Sequence, residues 1–367
     1  MKPLPNPFPC RCGMMKGVEL STLGLVAVLT AILMLAVITA VFIGAVSIPF
    51  TEVIQILVYK ILGVKLGDFA SIPPTHIVIV WELYAPRALL GVIVGVALAL
   101  AGVVMQAMVQ NPLADPYILG ISSGASLGAT FAFLMGAGAL GGMVAELGVS
   151  FWAFIGALGA SFAVFTLSAM GGKMTTTRLI LSGTIIASIC GAFSNLIVYL
   201  APSDSGIKSL TFWMMGSLST EGFDGLIIPG IILIVCLLFF FTQMRPLNAM
   251  LMGDEVATTL GVDLSTLRKV YMVLTAVLIA VMVSNCGMIG FVGLVIPHIA
   301  RALVGTNHWK LMPVACLLGG AFLVVADIVA RSLTTSEIPI GIITAIVGTP
   351  VFAYIMIKKS YGFGSRD

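Results

Sequence analysis

Residues 20–46 read LSTLGLVAVLTAILMLAVITAVFIGAV, without a single Asp, Glu, Lys or Arg. A helix needs about 20 mostly apolar residues to cross the hydrocarbon core of a bilayer, so this run is long enough to span one. It is too long for the apolar stretch of a cleavable signal. Pro3, Pro5, Pro7, Pro9 and Lys16 before it do not resemble a signal's charged start. The run reads as a first transmembrane helix behind a cytoplasmic tail, residues 1–19.

The rest of the chain repeats this pattern. It has 367 residues, 59% hydrophobic and only 9% charged, whereas soluble domains carry roughly a quarter charged residues. So few charges cannot cover a water-facing surface. Further segments long enough to cross lie near 87–109, 117–137, 151–170, 178–200, 226–243, 268–285, 287–304, 312–331 and 338–357. The expected fold is an all-α integral membrane protein of about ten helices. It forms one membrane domain over residues 20–358, with a second cytoplasmic tail over 359–367. Gly287, Gly290, Gly293 and Pro297 interrupt the pair at 268–304. Such breaks are tolerated where neighbouring helices satisfy the freed backbone groups.

The net charge of +3 is too small to indicate a nucleic-acid partner. Its distribution is more informative. With the N-terminus inside and helices alternating, 13 of the 18 basic residues fall on the cytoplasmic side. The outside receives Lys60, Lys65, Arg87, Lys208 and Arg331. This asymmetry favours both termini inside and an even number of helices. Gly91, Gly95 and Ala99, and likewise Gly120, Gly124 and Gly128, recur every fourth residue, which lets helix backbones pack closely in lipid. The expected use is packing within one subunit.

Motifs for chemistry are weak. Gly120-Ile121-Ser122-Ser123-Gly124 matches G-x-S-x-G, but that pattern needs a strand-turn-helix and a nearby histidine and carboxylate. Here it begins a membrane helix, and the histidines are His76, His298 and His308. Gly171-Gly172-Lys173 is followed by Met174, so it is not a phosphate loop. The chain is expected to bind no cofactor of its own. Cys10 and Cys12 form one isolated C-x-C, and Cys190, Cys236, Cys286 and Cys316 stand singly in apolar runs, so no disulfide or metal site is assigned.

Ionisable residues inside membrane segments are costly and therefore informative. Asp327 and Arg331, four apart near an outer helix end, read either as a structural ion pair or with Arg331 as an external docking residue. Arg87 is either a docking residue or an interfacial arginine whose charged end reaches water. His298 and Arg301 close a helix on the inner side, where positive charge suits the helix dipole. One amphiphilic stretch, residues 247–262, lies in a cytoplasmic loop. Asp254 and Glu255 suit a helix start, Gly261 its end, and Val256, Ala257 and Leu260 are expected on one face. It either fills a groove on a partner protein or lies on lipid headgroups.

Several stretches, in order, resemble the FecCD family of ABC importer permeases for ferric siderophores, haem and cobalamin. They are Ala85-Pro86-Arg87, Gly102 to Gln106, Asn111 to Pro116, Leu119 to Ala125 and Phe212 to Leu218. Met252 to Gly261, Gly290 to Arg301, Ala326 to Arg331 and Glu337 to Gly341 follow. The resemblance covers about residues 20–358. It implies a type II importer permease of ten helices working as a dimer, most simply a homodimer. Two ATPase subunits, which hold ATP and Mg, would dock on the cytoplasmic side and a substrate-binding protein outside. By the same resemblance Asp254, Glu255, Val256, Ala257, Leu260 and Gly261 form the ATPase-coupling segment. Thr176 and Thr177 fall at the cytoplasmic gate, with Asn111 and Leu113 at a second constriction. Arg87 and Arg331 would receive acidic residues of the binding protein.

Cobalamin-transporting members carry a further arginine three positions before the one matching Arg87; here that residue is Tyr84. The resemblance makes a ferric siderophore, the commonest cargo of the family, the expected one, and the Tyr84 departure leans the same way; cobalamin or haem are the alternatives. An ion-coupled secondary transporter shares the composition but needs a coupling carboxylate at mid-membrane. A membrane enzyme needs Ser122 to be reactive.

Overall fold

In a computed structural model the protein is described over residues 22–358, apart from 45, 68, 136–140, 171–175, 202–203, 221 and 335–336. Both tails, with Cys10 and Cys12, and the loop carrying Lys173 lie outside the described residues. Among the described residues every regular element is helical.

Helix α1 (Thr22–Phe42) is followed by the shorter α2 (Phe50–Leu62) and α3 (Pro74–Val78). A π-helical stretch, Ile79–Tyr84, joins α3 to α4 (Ala85–Val109). Pro86 explains the wide turn. Its ring would clash with the carbonyl of Glu82, and the Ala85 N–H instead bonds back to Val80 O. Residues 74–109 thus form one 36-residue span. Next come α5 (Ile121–Met135), α6 (Gly141–Ala169, kinked at Gly148), α7 (Thr176–Tyr199) and α8 (Asp204–Met214). They are followed by α9 (Ile227–Thr242), α10 (Met244–Met250) and α11 (Asp254–Thr259). The chain closes with α12 (Leu264–Cys286), α13 (Val292–Val304), α14 (His308–Ser332) and α15 (Ile340–Lys358).

Seven of these spans are long and apolar enough to cross a membrane, and α5, α13 and α15 are shorter apolar helices. Together they occupy the ten segments expected from sequence. Helices α2 and α8 were not expected. Asp263 caps α12 by accepting from the Thr266 N–H at 3.2 Å, and the Thr266 hydroxyl and N–H hold its carboxyl below the usual range.

Helix α4 sits at the centre, packed against α14, α13, α12 and α9. Most of it is buried: 78% of its most apolar window, against 17% for α7. Lipid tails are as apolar as leucine, so close backbone contact must hold such a helix in place. A Cβ at Gly95 would collide with the Gly319 carbonyl of α14, and one at Gly102 with the Gly293 carbonyl of α13. Gly124 and Gly128 meet α6 in the same way, at the Gly156 and Trp152 carbonyls. The four-residue lines therefore serve packing within the subunit, except that Gly120 lies outside the helix with a positive φ of 73°.

Adding one methyl group at Gly102 is expected to destabilise the protein by about 1–3 kcal/mol through overpacking. The exposed Gly159, with open space around its Cβ position, should accept alanine without loss. Unfolding midpoints of the two variants in detergent check this; equal midpoints would contradict the close α4–α13 contact.

Candidate functional site

Three polar features interrupt the apolar bundle: an ion network at one end, a hydroxyl-lined cleft in the middle, and a short surface helix at the other end.

The network joins α4, α14 and the segment before α15. Arg87 donates from Nε to Asp327 Oδ1 at 3.0 Å and from a terminal nitrogen to Glu337 Oε2 at 2.7 Å. Arg331 Nε lies 3.0 Å from Asp327 Oδ2, though not aligned as a hydrogen bond. The other end of Arg331 donates to the Ala40 carbonyl of α1 at 3.0 Å. The Tyr84 ring faces its guanidinium at 5.0 Å, and the Tyr84 hydroxyl accepts from the Val46 N–H. Two arginines thus balance two carboxylates. Such pairing removes the large cost of a lone charge in a low-dielectric interior.

This placement corrects one expectation and splits another. Arg331 is 1% exposed and bonded inside the bundle, so it is not an external docking surface. Sequence spacing had shown its pairing with Asp327 but not its depth, which comes from α1 and Tyr84 covering it. Arg87 is also buried, but its partner Glu337 has a side chain 41% exposed. That edge of the network opens on a cleft of about 360 Å³ lined by Trp213, Ser217 and Pro339, among others. Sequence reasoning missed Glu337 as a partner because 250 positions separate it from Arg87.

The middle cleft, about 310 Å³, lies between α5, α7 and the end of α8. Ser122, Ser123, Ser126 and Thr130 line one side, and Ser194, Asn195 and Met214 the other. The Ser194 hydroxyl is buried without a hydrogen-bond partner. Ser122 is part of this lining. Along α7, Thr177, Thr184, Ser188 and Asn195 are all exposed. Their spacing places them within about 40° of one another around the helix. Thr176 starts the helix; its side chain lies outside the described residues. Asn111 and Leu113 stand in the turn after α4, where Asn111 Oδ1 accepts the Leu113 N–H at 2.9 Å. Both are half-buried.

At the far end, α11 carries the expected coupling segment. Asp254 takes a two-pronged ion pair from Arg268 at 2.7 and 2.9 Å. Glu255 is exposed, and Gly261 closes the turn with φ of 82°. The expected common face of Val256, Ala257 and Leu260 is not observed. Ala257 is fully buried against its own chain, whereas Met252, Val256 and Leu260 point outward. Val256 and Leu260, four residues apart, share the outward face, with the Leu260 N–H still bonded to the Val256 carbonyl, whereas Ala257 is turned about 100° from Val256. Nearby, Arg301 donates to Gln106 Oε1, and Gln106 Nε2 reaches the Leu294 carbonyl at 3.3 Å, tying α4 to α13. Among the described residues no group of three metal-ligating side chains occurs.

An all-helical bundle with paired charges, a polar cleft and surface-exposed ends has the form of a membrane permease. Residues 32–358 match the FecCD transport family, and the chain belongs to that family. The cobalamin import system permease BtuC of Halobacterium salinarum is 39% identical over 286 residues, 78% of this chain and 75% of that protein. The molybdate import permease MolB of Haemophilus influenzae is 33% identical, covering 91% and 95%. The hemin transport permease HmuU of Yersinia pestis is 37% identical, covering 76% and 84%. A solved structure of a metal-chelate type ABC transporter in an inward-facing conformation matches with TM-score 0.76 and 30% identity. It covers 92% of this chain and 100% of that one. The fold is accordingly that of a type II importer permease, multi-pass and in the inner membrane. The chain is the permease subunit of an ABC importer and not itself an enzyme; a separate subunit hydrolyses ATP and a substrate-binding partner supplies cargo. This assignment replaces both the secondary-transporter and the membrane-enzyme alternatives.

Replacing Arg331 with glutamine strips Asp327 of half its compensation, at a cost of about 3 kcal/mol or more. Glu337→Gln, at a partly exposed pair, should cost about 1 kcal/mol or less. The ratio of the two losses, read from unfolding midpoints, checks the assignment. Equal losses would mean that Asp327 is not the buried centre of the network.

Proposed function

We propose that two copies of this chain enclose a translocation path for a bulky metal chelate, with ferric siderophore as the cargo. Both termini and α11 face the cytoplasm in this reading. One observation carries it: the exposed polar line along α7. Thr184 and Ser188 donate to the Ile180 and Thr184 carbonyls of their own helix, but the exposed amide of Asn195 on the same line would face lipid at a cost. A second copy and an aqueous path would satisfy it, and the hydroxyl-lined cleft beside α5 would continue that path. Neutral hydroxyls and amides hold a hydrophilic chelate only weakly, so cargo can leave as readily as it enters.

The Arg87–Glu337 edge serves as the docking site, where an acidic side chain of the loaded binding protein takes the place of the exposed Glu337 on Arg87. Met252, Val256 and Leu260 form the apolar contact for the ATPase subunits. ATP-driven movement there opens and closes the constrictions at Asn111 and Leu113 and at Thr176 and Thr177. Cobalamin is the second reading for cargo, favoured by the 39% identity to a cobalamin import permease. Tyr84 weighs the other way. It occupies the position of an additional docking arginine and is itself buried against Arg331.

Uptake by a strain lacking this gene tests the cargo, using labelled ferric siderophore, haem, cobalamin and molybdate in parallel. Loss of siderophore uptake alone is expected; loss of cobalamin uptake alone would move the assignment to the second reading. In the purified complex, docking of the binding protein should weaken steadily as salt rises. Affinity that ignores salt would remove the charge-based docking role of Arg87.

Substituting leucine for Ser188 and Asn195 together should leave the subunit folded, since both side chains are exposed, yet lower uptake about tenfold by removing polar contacts worth roughly 1 kcal/mol each. Unchanged uptake would place the path elsewhere.

A further inference from the structure

The short helix α11 is fastened to the end of α4 by one side chain. Gln110 follows the last residue of α4 and adopts a left-handed backbone, φ 53° and ψ 33°. Among the described residues, Phe291 is the other non-glycine residue with positive φ. Such a conformation costs a non-glycine residue about 1 kcal/mol or more, and glycine would take it freely. The glutamine side chain is what a glycine would lack. Its amide nitrogen donates to the Met250 carbonyl at 2.9 Å and to Asp254 Oδ1 at 2.7 Å, so both of its N–H groups are used. Asp254 is in turn gripped by Arg268 at the start of α12.

On the other side of Gln110 lies the constriction. The Asn111 N–H bonds back to Gln106 O at 3.2 Å, and Asn111 then fixes the turn through the Leu113 and Ala114 N–H groups. One unbroken series of short contacts therefore runs from Arg268 through Asp254 and Gln110 to Asn111 and Leu113. Nothing in it requires a ligand or a second subunit.

We infer that Gln110 is the joint through which displacement of the ATPase-contacting segment reaches the Asn111–Leu113 constriction. It is a positioning residue: it touches neither cargo nor nucleotide. The inference rests on the proposed reading of Met252, Val256 and Leu260 as the ATPase contact. When the ATPase subunits move α11, Asp254 carries the Gln110 amide with it. The left-handed turn transmits that motion directly to Asn111, its neighbour in the chain. Arg268 holds Asp254 aimed at the amide through its two-pronged pair.

Gln110→Gly separates backbone from side chain, because glycine retains the left-handed turn and removes the link. The test uses the complete permease–ATPase complex in nanodiscs, with cysteine at Leu113 as reporter. A maleimide probe is applied with and without a non-hydrolysable ATP analogue, and labelling at position 113 is read by peptide mass. With Gln110 present, the nucleotide should change the labelling rate about fivefold or more, the lower end of ordinary coupling between sites. With Gln110→Gly, the ATPase subunits should still co-purify and the unfolding midpoint should not fall, while the nucleotide effect disappears. A nucleotide effect that survives Gln110→Gly would overturn the joint, as would loss of the ATPase subunits, which would make Gln110 a docking residue. A parallel variant, Met252→Arg with Leu260→Arg, distinguishes the underlying reading. If that variant keeps its ATPase subunits, or if the Leu113 reporter never responds in the presence of Gln110, the proposed ATPase contact or constriction is itself wrong, and the joint falls with it.

Discussion

The backbone contact of α4 with α13 and α14 is the constraint on which the rest depends. Inside a bilayer no water is displaced when helices meet, so association rests on close packing and satisfied polar groups. Gly95 against Gly319 and Gly102 against Gly293 bring the backbones together where any side chain would hold them apart. A helix gripped along its length behaves as a rod. Arg87 near one end and Gln110 just past the other are then about 35 Å apart at 1.5 Å per residue. The ion network and the α11 attachment are thus anchored to opposite ends of one rigid element. Their relative position is set by packing, not by the loops that surround them.

The crossing helices were legible in the sequence because long apolar runs carry their own signal. Residues 20–46 and 312–331, for example, correspond to α1 and α14 within a few positions. Helix α2 was missed because it is too short to cross, although Val53 and Ile56 on its buried side, Glu52 in its first turn and Lys60 in its last follow an amphipathic pattern. The π-helical stretch before α4 was hidden for another reason. Pro86 announces a disturbance, but whether the chain answers with a kink or a wide turn depends on its neighbours.

The polar sites were legible only where their partners are close in sequence. Asp327 and Arg331, one helical turn apart, could be paired by spacing. Arg87 with Glu337, and Gln110 with Asp254, could not, because each pair is formed by the packing of distant helices. The face of α11 was misread for a geometric reason. A six-residue helix has too few turns for a face to be assigned by periodicity: Val256 and Leu260 do share one at four-residue spacing, but Ala257, one position on from Val256, is turned about 100° from it and faces inward.

The bundle treats its polar groups in two distinct ways, and the difference bears on transport. Charges are neutralised: the buried Arg87, Arg331 and Asp327 and the partly exposed Glu337 sum to zero within a few ångströms. Neutral hydroxyls and amides are instead left at the surface of α7 or around the α5 cleft, and the Ser194 hydroxyl is left unbonded. A full charge facing the proposed path would attract any oppositely charged cargo strongly at low dielectric and hold it there. Ordinary hydrogen bonds, each worth about 1 kcal/mol against water, are readily exchanged. In the proposed reading, a path lined this way favours passage over retention, would leave the choice of cargo to the binding protein and would place the energetic control at the two ends of α4.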